Sequence, residues 1–334
     1  MTKSRSGHAL FQWGSSAWAD TLRALVSADI GQIPPLVHRR NFEKFVGIVA
    51  VDTWKQFQDL VSARFFDKQW VFRGQSQYDW RLETSLERAV VRYREGEPDG
   101  SYPVSHPNKF EPQLLQGFQR RANHYMSDVP AHGERLEWLA LMQHYGVPTR
   151  LLDWTISPYV ALYFALEKSV LNSDCAIWVV DSNWVTERAR ETLGSPDRPF
   201  PGTADLGMFA RYLNSLLEDG DDNSPRVIVR AEPMNTNDRV AAQQAVFLCD
   251  VGYQETFDIT LMRMIYSSQP DSPAVFKIAV NTADRSSMLG ELRRMNIHAA
   301  SLFPGFDGFT RSLRLQLQVD VDELFPWRIG DKPF

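Results

Sequence analysis

The stretch QHYGVPTRLLDWTISPYVALYFALE, residues 143–167, holds a helix end, a strand and a new helix in succession. Upstream of it, ERLEWLALMQHYG (134–146) repeats apolar residues at helical spacing, which predicts Leu136, Leu139, Met142 and Tyr145 on an inward face. Gly146 suits the left-handed conformation of a C-terminal cap, and Pro148 forbids another turn. TRLLDW (149–154) then reads as a short buried strand. Ser157-Pro158 is a helix start, with serine at the cap and proline at the first helical position, and YVALYFALE continues it.

On the N-terminal side, TWKQFQDLVSARF (53–65) places Trp54, Phe57, Leu60, Val61 and Phe65 on one helical stripe. VFRGQ (71–75) follows as a short strand, and RLETSLER (81–88) is open between strand end and helix. Pro and Gly make 94–112 an exposed loop before a helix near Phe110 to Met126. Beyond residue 167, CAIWVVD, RVIVRAE, QAVFLCD and VFKIAV are strand candidates, with TERARETL, ETFDITLMRMI and SSMLGELRRMN as helices between them. Helices and strands mix without strict alternation, so the expected class is α+β, a mixed or antiparallel sheet core with surrounding helices. Residues 1–48 read as an N-terminal extension with a short helix from Trp18 to Val26. Residues 49–320 then form the main domain with an insertion near 194–225, and 321–334 a tail.

A net charge of -5 gives no global field toward nucleic acid or anionic lipid, so neither is indicated as a partner. Cys175 and Cys249 are too few for a disulfide framework or a cysteine-rich metal site and sit in apolar strands, which fits a reducing compartment. No apolar run approaches a membrane span, and MTKSRSGHALFQW lacks the apolar core of a secretory signal; a cytoplasmic location is the expectation. Glycine-rich dinucleotide and P-loop patterns, HExxH and GxSxG are all missing.

Four motifs carry polar chemistry. In VFRGQ, Arg73 beside Gly74 offers a guanidinium fork next to bare backbone, a geometry suited to phosphate; the competing reading pairs Arg73 with a carboxylate such as Asp153. In HYGVPTRLLDW, Arg150 and Asp153 lie three apart and so point to opposite faces of a strand. His144 is either an acid/base or, as is commoner, a histidine at a helix C-terminus favoured by the dipole. RVAAQQAVFL places Arg239, Gln243 and Gln244 before a strand, where an amide could orient a ligand hydroxyl or simply face solvent. In SLFPGFDGF, Gly305 and Gly308 flank Asp307, either in a tight turn that holds it or at a helix entry that it caps. Glu83, Glu87 and Asp153 are carboxylates available for paired-acid hydrolysis, with nothing in their spacing to support it.

VFRGQSQYDWRLETSLER and QHYGVPTRLLDWTISPYVALYFAL resemble the FRG domain, a bacterial and phage-associated family named for its Phe-Arg-Gly signature, here Phe72-Arg73-Gly74. RVAAQQAVF and NIHAASLFPGFDG look like the same family's downstream half, so the resemblance spans roughly 50–315. The layout of an early strand arginine, a His-Tyr element and a later glutamine is also similar to ADP-ribosyltransferase-like folds. That similarity implies a nucleotide-directed enzyme with NAD as substrate, no covalent cofactor and no metal. Arg73 would grip phosphate or ribose, and Tyr145, Arg150 and Asp153 would complete the binding surface. His144, Gln243 and Glu83 would be the catalytic candidates. The alternative is a non-catalytic module that binds a nucleotide or a protein partner, in phage defence or a toxin system. A third reading buries and pairs these residues as internal scaffolding.

Overall fold

The six strands predicted from short β-branched runs and one unpredicted edge strand assemble into one seven-stranded sheet in a computed structural model of the chain. The structure describes residues 46–313 except 67–68, 96–109, 196–198, 202–205, 219–223, 236, 269 and 271. The 1–48 extension with its short helix therefore lies almost wholly outside the described residues, as does the 321–334 tail.

In chain order the strands are β1 (Gly47–Val51), β2 (Trp70–Gln75), β3 (Leu151–Thr155), β4 (Asp174–Asp181), β5 (Ile228–Ala231), β6 (Ala245–Asp250) and β7 (Val275–Asn281). Across the sheet they run β1-β7-β4-β2-β3-β6-β5, and every neighbouring pair is antiparallel except β1 with β7. The helices are α1 (Trp54–Arg64), α2 (Ser85–Glu95), α3 (Glu111–Ala122), α4 (Arg135–His144), α5 (Pro158–Glu167), α6 (Ser182–Leu193), α7 (Leu206–Glu218), α8 (Asp238–Ala242), α9 (Phe257–Ser268), α10 (Arg285–Arg294) and α11 (Ala299–Leu302). The mixed sheet flanked by helices is the α+β class read from the sequence.

Period-2 alternation sorts the strand side chains onto two cores. Phe72, Ile177, Val179 and Ile278 face a core completed by α1, α5 and α10 through Phe57, Val61, Ala161, Leu166 and Leu292. Val71, Trp178, Val229 and Leu248 face the other, filled by α3, α4, α6, α7 and α9 through Leu115, Leu139, Val185, Leu213 and Leu261. Helix starts follow their local signals: Thr53 accepts from the Gln56 N–H at 3.3 Å, and Ser157 from the Val160 N–H at 3.3 Å. Gly146 takes φ 77° and closes α4, with the Val147 N–H donating to the Met142 carbonyl at 2.9 Å.

Four expectations are refined. RLETSLER resolves into a loop and the start of α2 at Ser85. Tyr145 lies just past the end of α4 and is 57% exposed, because the left-handed turn at Gly146 carries the chain off the inward stripe. GIVAV forms the edge strand β1, which its brevity concealed. The 194–225 segment contributes α7, whose Leu213 and Leu217 are buried in the core and whose Asn214 accepts from the Leu136 N–H at 2.8 Å, capping α4. Cys175 and Cys249 are free and buried. Among the described residues no helix is long and apolar enough to cross a membrane.

Candidate functional site

The middle of the sheet is where its pairing fails. β2 pairs with β4 along its whole length, from Trp70↔Asp181 to Gln75↔Ala176, and β3 pairs fully with β6. Between β2 and β3 a single pair, Phe72↔Thr155, holds the sheet together. Beyond that point the strands diverge. Arg73 spans the opening, its Nη1 donating to the backbone carbonyl of Asp153 at 2.6 Å. The three signature residues therefore do three jobs. Phe72 enters the core edge-on to Phe65, Arg73 crosses the gap, and Gly74 lets α5 approach. A Cβ on Gly74 would stand 2.0 Å from the Ala161 carbonyl oxygen. The missing side chain thus serves packing against α5, while Gly74 also lies in the cavity wall beside Arg73.

A cavity of about 640 Å³ occupies the opening, within the usual size of small-molecule sites. β2 supplies Arg73, the next loop Trp80, Arg81 and Glu83, and α2 supplies Arg88. β3 supplies Asp153, the end of α5 Glu167 and Lys168, α8 Arg239, and the turn from α8 into β6 Gln243.

Its arginines are not equivalent. Arg81 is neutralised by Asp258 at 2.7 Å and Glu83 at 2.9 Å. Arg73, Arg88 and Arg239 form no ion pair with a described residue; Arg88 donates only to the Glu83 carbonyl at 2.5 Å. The Arg73 Nε is buried without a hydrogen-bond partner. Burial pulls the Arg73 guanidinium down to about 10, with Asp153 opposing the shift and Arg88 adding to it. Burial likewise lowers Arg239, opposed by Asp153 and reinforced by Arg311. The Asp153 carboxylate is held by the Gln143 amide at 2.9 Å, and the Gln143 oxygen in turn accepts from Thr149 at 2.7 Å and Ser85 at 3.2 Å. Arg73, Arg81, Arg88, Lys168 and Arg239 outnumber the lining carboxylates Glu83, Asp153 and Glu167, so the site is short of anions.

Arg73, Glu83, Asp153 and Gln243, far apart in the chain, all line this cavity. Glu83 is engaged by Arg81. Gln243 donates from Nε2 to the Leu302 carbonyl at 3.0 Å, and its own backbone carbonyl accepts from Thr155 at 2.7 Å. Gln244 takes φ 47°, turning the chain from α8 into β6.

His144, Tyr145 and Arg150 are not among the lining residues. Arg150 is buried on the far side of β3 from Asp153, paired with Glu111 at 2.5 Å, so burial removes it from any ligand surface. His144 sits edge-to-face on Tyr145 with its Nδ1 3.3 Å from the Asn237 amide nitrogen, and burial, then Arg239, lowers its pKa. It ties α4 to the cap of α8 outside the cavity. His144→Ala should therefore leave ligand binding in the cavity unchanged by titration calorimetry; a large loss would place the imidazole in the site after all.

Trp80, Arg88 and Gln143 carry no motif that singles them out in the sequence, and Arg239 had no place in the expected site. Arg239 stands four residues before Gln243, one helical turn, and that spacing was the available signal. Phe303 seats it: the Arg239 guanidinium lies 5.0 Å and the Arg311 guanidinium 4.3 Å from the Phe303 ring centre. The glycines of SLFPGFDGF serve this turn, since a Cβ on Gly308 would meet the Phe303 carbonyl oxygen at 1.8 Å, while Asp307 is exposed. Among the described residues no His, Cys, Asp and Glu side chains cluster as a metal site.

No curated protein and no solved structure matches the chain. A family model described as FRG domain matches residues 68–173, about a third of the sequence. That span runs from just before β2 to just before β4 and contains Arg73, Trp80, Glu83, Arg88, Gln143 and Asp153, whereas Arg239 and Gln243 come from beyond it. With both walls of the split sheet and the Phe72-Arg73-Gly74 signature inside the matched span, the chain is an FRG domain-containing protein.

Proposed function

We propose that the cavity between β2 and β3 binds a nucleotide through its phosphates, and that NAD is the ligand on which the protein acts. One observation carries this reading: Arg73, Arg88 and Arg239, none ion-paired among the described residues, line a single cavity. Planar forks match phosphate oxygens bidentately, and an incoming anion would offset the burial that lowers Arg73 and Arg239 and the neighbouring charges, Arg88 and Arg311, that add to it. On this reading Asp153, oriented by Gln143, and the Gln243 amide oxygen, whose Nε2 is bonded to the Leu302 carbonyl, would meet ribose hydroxyls. A reaction at the ribose of an ADP-ribosyltransferase-like or NAD-cleaving kind would draw on the Glu83 carboxylate.

A second reading has its own support. Glu83 is already committed to Arg81, which favours a module that binds the nucleotide without cleaving it. Incubation of the purified chain with NAD, assayed for free nicotinamide and for a rise in melting temperature, separates the two. Release of nicotinamide supports the enzyme, a melting shift alone supports the binding module, and neither response sinks both.

Arg73→Ala tests the residue on which the reading leans. Losing a charge-assisted hydrogen bond of about 1.5–3 kcal/mol should weaken NAD binding roughly tenfold or more. The melting temperature should fall by no more than about 10 °C, the worth of one lost charge-assisted bond to the Asp153 carbonyl at roughly 2–4 °C per kcal/mol. A far larger fall would make Arg73 a strut of the split sheet and not a ligand group.

A further inference from the structure

We infer that Trp80 is the platform on which the ligand's base stacks, so that the cavity prefers phosphorylated ligands bearing an aromatic base over sugar phosphates and bare polyphosphates. The inference rests on the nucleotide reading above and adds the group that selects among phosphorylated ligands.

Trp80 lines the cavity and is 49% exposed. Single exposed apolar residues are ordinary on a protein surface, but this one stands inside an arginine-lined hollow. Its indole is also uncommitted. Among the described residues it makes no ring contact, lies under no cation and donates no hydrogen bond from Nε1. Trp138, Trp178 and Trp184 each donate from Nε1, to the Ala131 carbonyl, Gln75 and Ser268 at 2.9, 2.9 and 3.2 Å, and Trp154, whose Nε1 is also unpartnered, is buried and offers no open face.

The backbone beneath the ring is nonetheless well held. The Trp80 N–H donates to the Gln77 carbonyl at 3.4 Å, and Gln75 donates to the Arg81 carbonyl at 2.8 Å. The Arg81 guanidinium is clamped by Asp258 at 2.9 Å and 2.7 Å and by Glu83. An open aromatic face on an anchored segment, beside cations that lack anions, is complementary to a base joined to phosphate. Stacking on a π-face tolerates any base, so Trp80 distinguishes base from no base, not adenine from guanine.

Isothermal titration of the full chain with ADP, GDP, ribose 5-phosphate and pyrophosphate tests this on the wild type, Trp80→Ala and Trp80→Phe. ADP and GDP should bind alike, and tighter than the other two by on the order of tenfold. Trp80→Ala should erase that margin while leaving pyrophosphate affinity as it was, and Trp80→Phe should keep most of it. Equal affinity of the wild type for ADP and pyrophosphate would overturn the inference and leave the phosphate reading standing. So would equal weakening of both ligands by Trp80→Ala. Failure of the wild type to bind any of the four would overturn the phosphate reading and this inference with it. Should Trp80→Ala not fold, Trp80→Phe and Trp80→Leu decide the matter in its place: the margin should survive with the ring and vanish without it.

Discussion

Glu111→Ala should cost about 3–5 kcal/mol of folding stability, the usual effect of leaving a buried charge without its partner. Glu111 and Arg150 are both almost inaccessible to water, and the carboxylate receives three bonds from one residue. Arg150 approaches it through Nη2 at 2.5 Å, Nε at 2.6 Å and its backbone N–H at 3.0 Å. Nη1 donates to the Val251 carbonyl at 2.8 Å, and the Tyr253 ring lies 5.2 Å from the guanidinium. Burial disfavours the Arg150 cation and the Glu111 carboxylate more than offsets it, so removing Glu111 leaves the guanidinium with the cost of burial and without its compensation. At roughly 2–4 °C per kcal/mol for a chain of this size, thermal unfolding should shift by about 10 °C. The double replacement Glu111→Leu with Arg150→Met removes both charges and should be much milder than either single change. A double variant as damaging as Glu111→Ala would show that packing, not charge pairing, holds α3 against the start of β3.

Gly74→Ala should destabilise by about 3 kcal/mol or more, at the upper end of overpacking effects. The added methyl would stand 2.0 Å from the Ala161 oxygen and 2.5 Å from the Ala165 nitrogen, both in the backbone of α5. No rotamer change can relieve a clash with backbone, so the helix must lift from β2. Ala161 and Ala165 are themselves fully buried, which shows how closely the two elements approach. Lifting α5 also disturbs Glu167 and Lys168 at its end, and Arg73 is the adjacent residue in β2, so phosphate binding should weaken together with melting. Denaturant unfolding checks the first effect; a midpoint equal to that of the wild type would mean that α5 is free to shift.

Much of the architecture could be read locally. The Gly146 cap, the Ser157-Pro158 start and the apolar runs that became β2 through β7 are short-range effects of sterics, capping and side-chain period. The opposite placement of Arg150 and Asp153 followed from strand alternation alone. Less was legible where an element is short or its role depends on a distant neighbour. β1 has five residues and a parallel partner more than two hundred positions away, and α7 joins the core by packing against α4.

Chain chemistry on its own thus pointed to an α+β scaffold and to several of the cations and carboxylates that line the cavity. It could not rank those charges, because Arg73, Arg81, Arg88, Arg150 and Arg239 are identical as letters. Long-range packing alone made Arg150 an internal anchor, through a carboxylate 39 positions away, neutralised Arg81 across 177, and left the other three facing the split in the sheet. The cause is physical: the worth of a charge is set by its solvation and its nearest opposite charge, and both are properties of the folded surroundings.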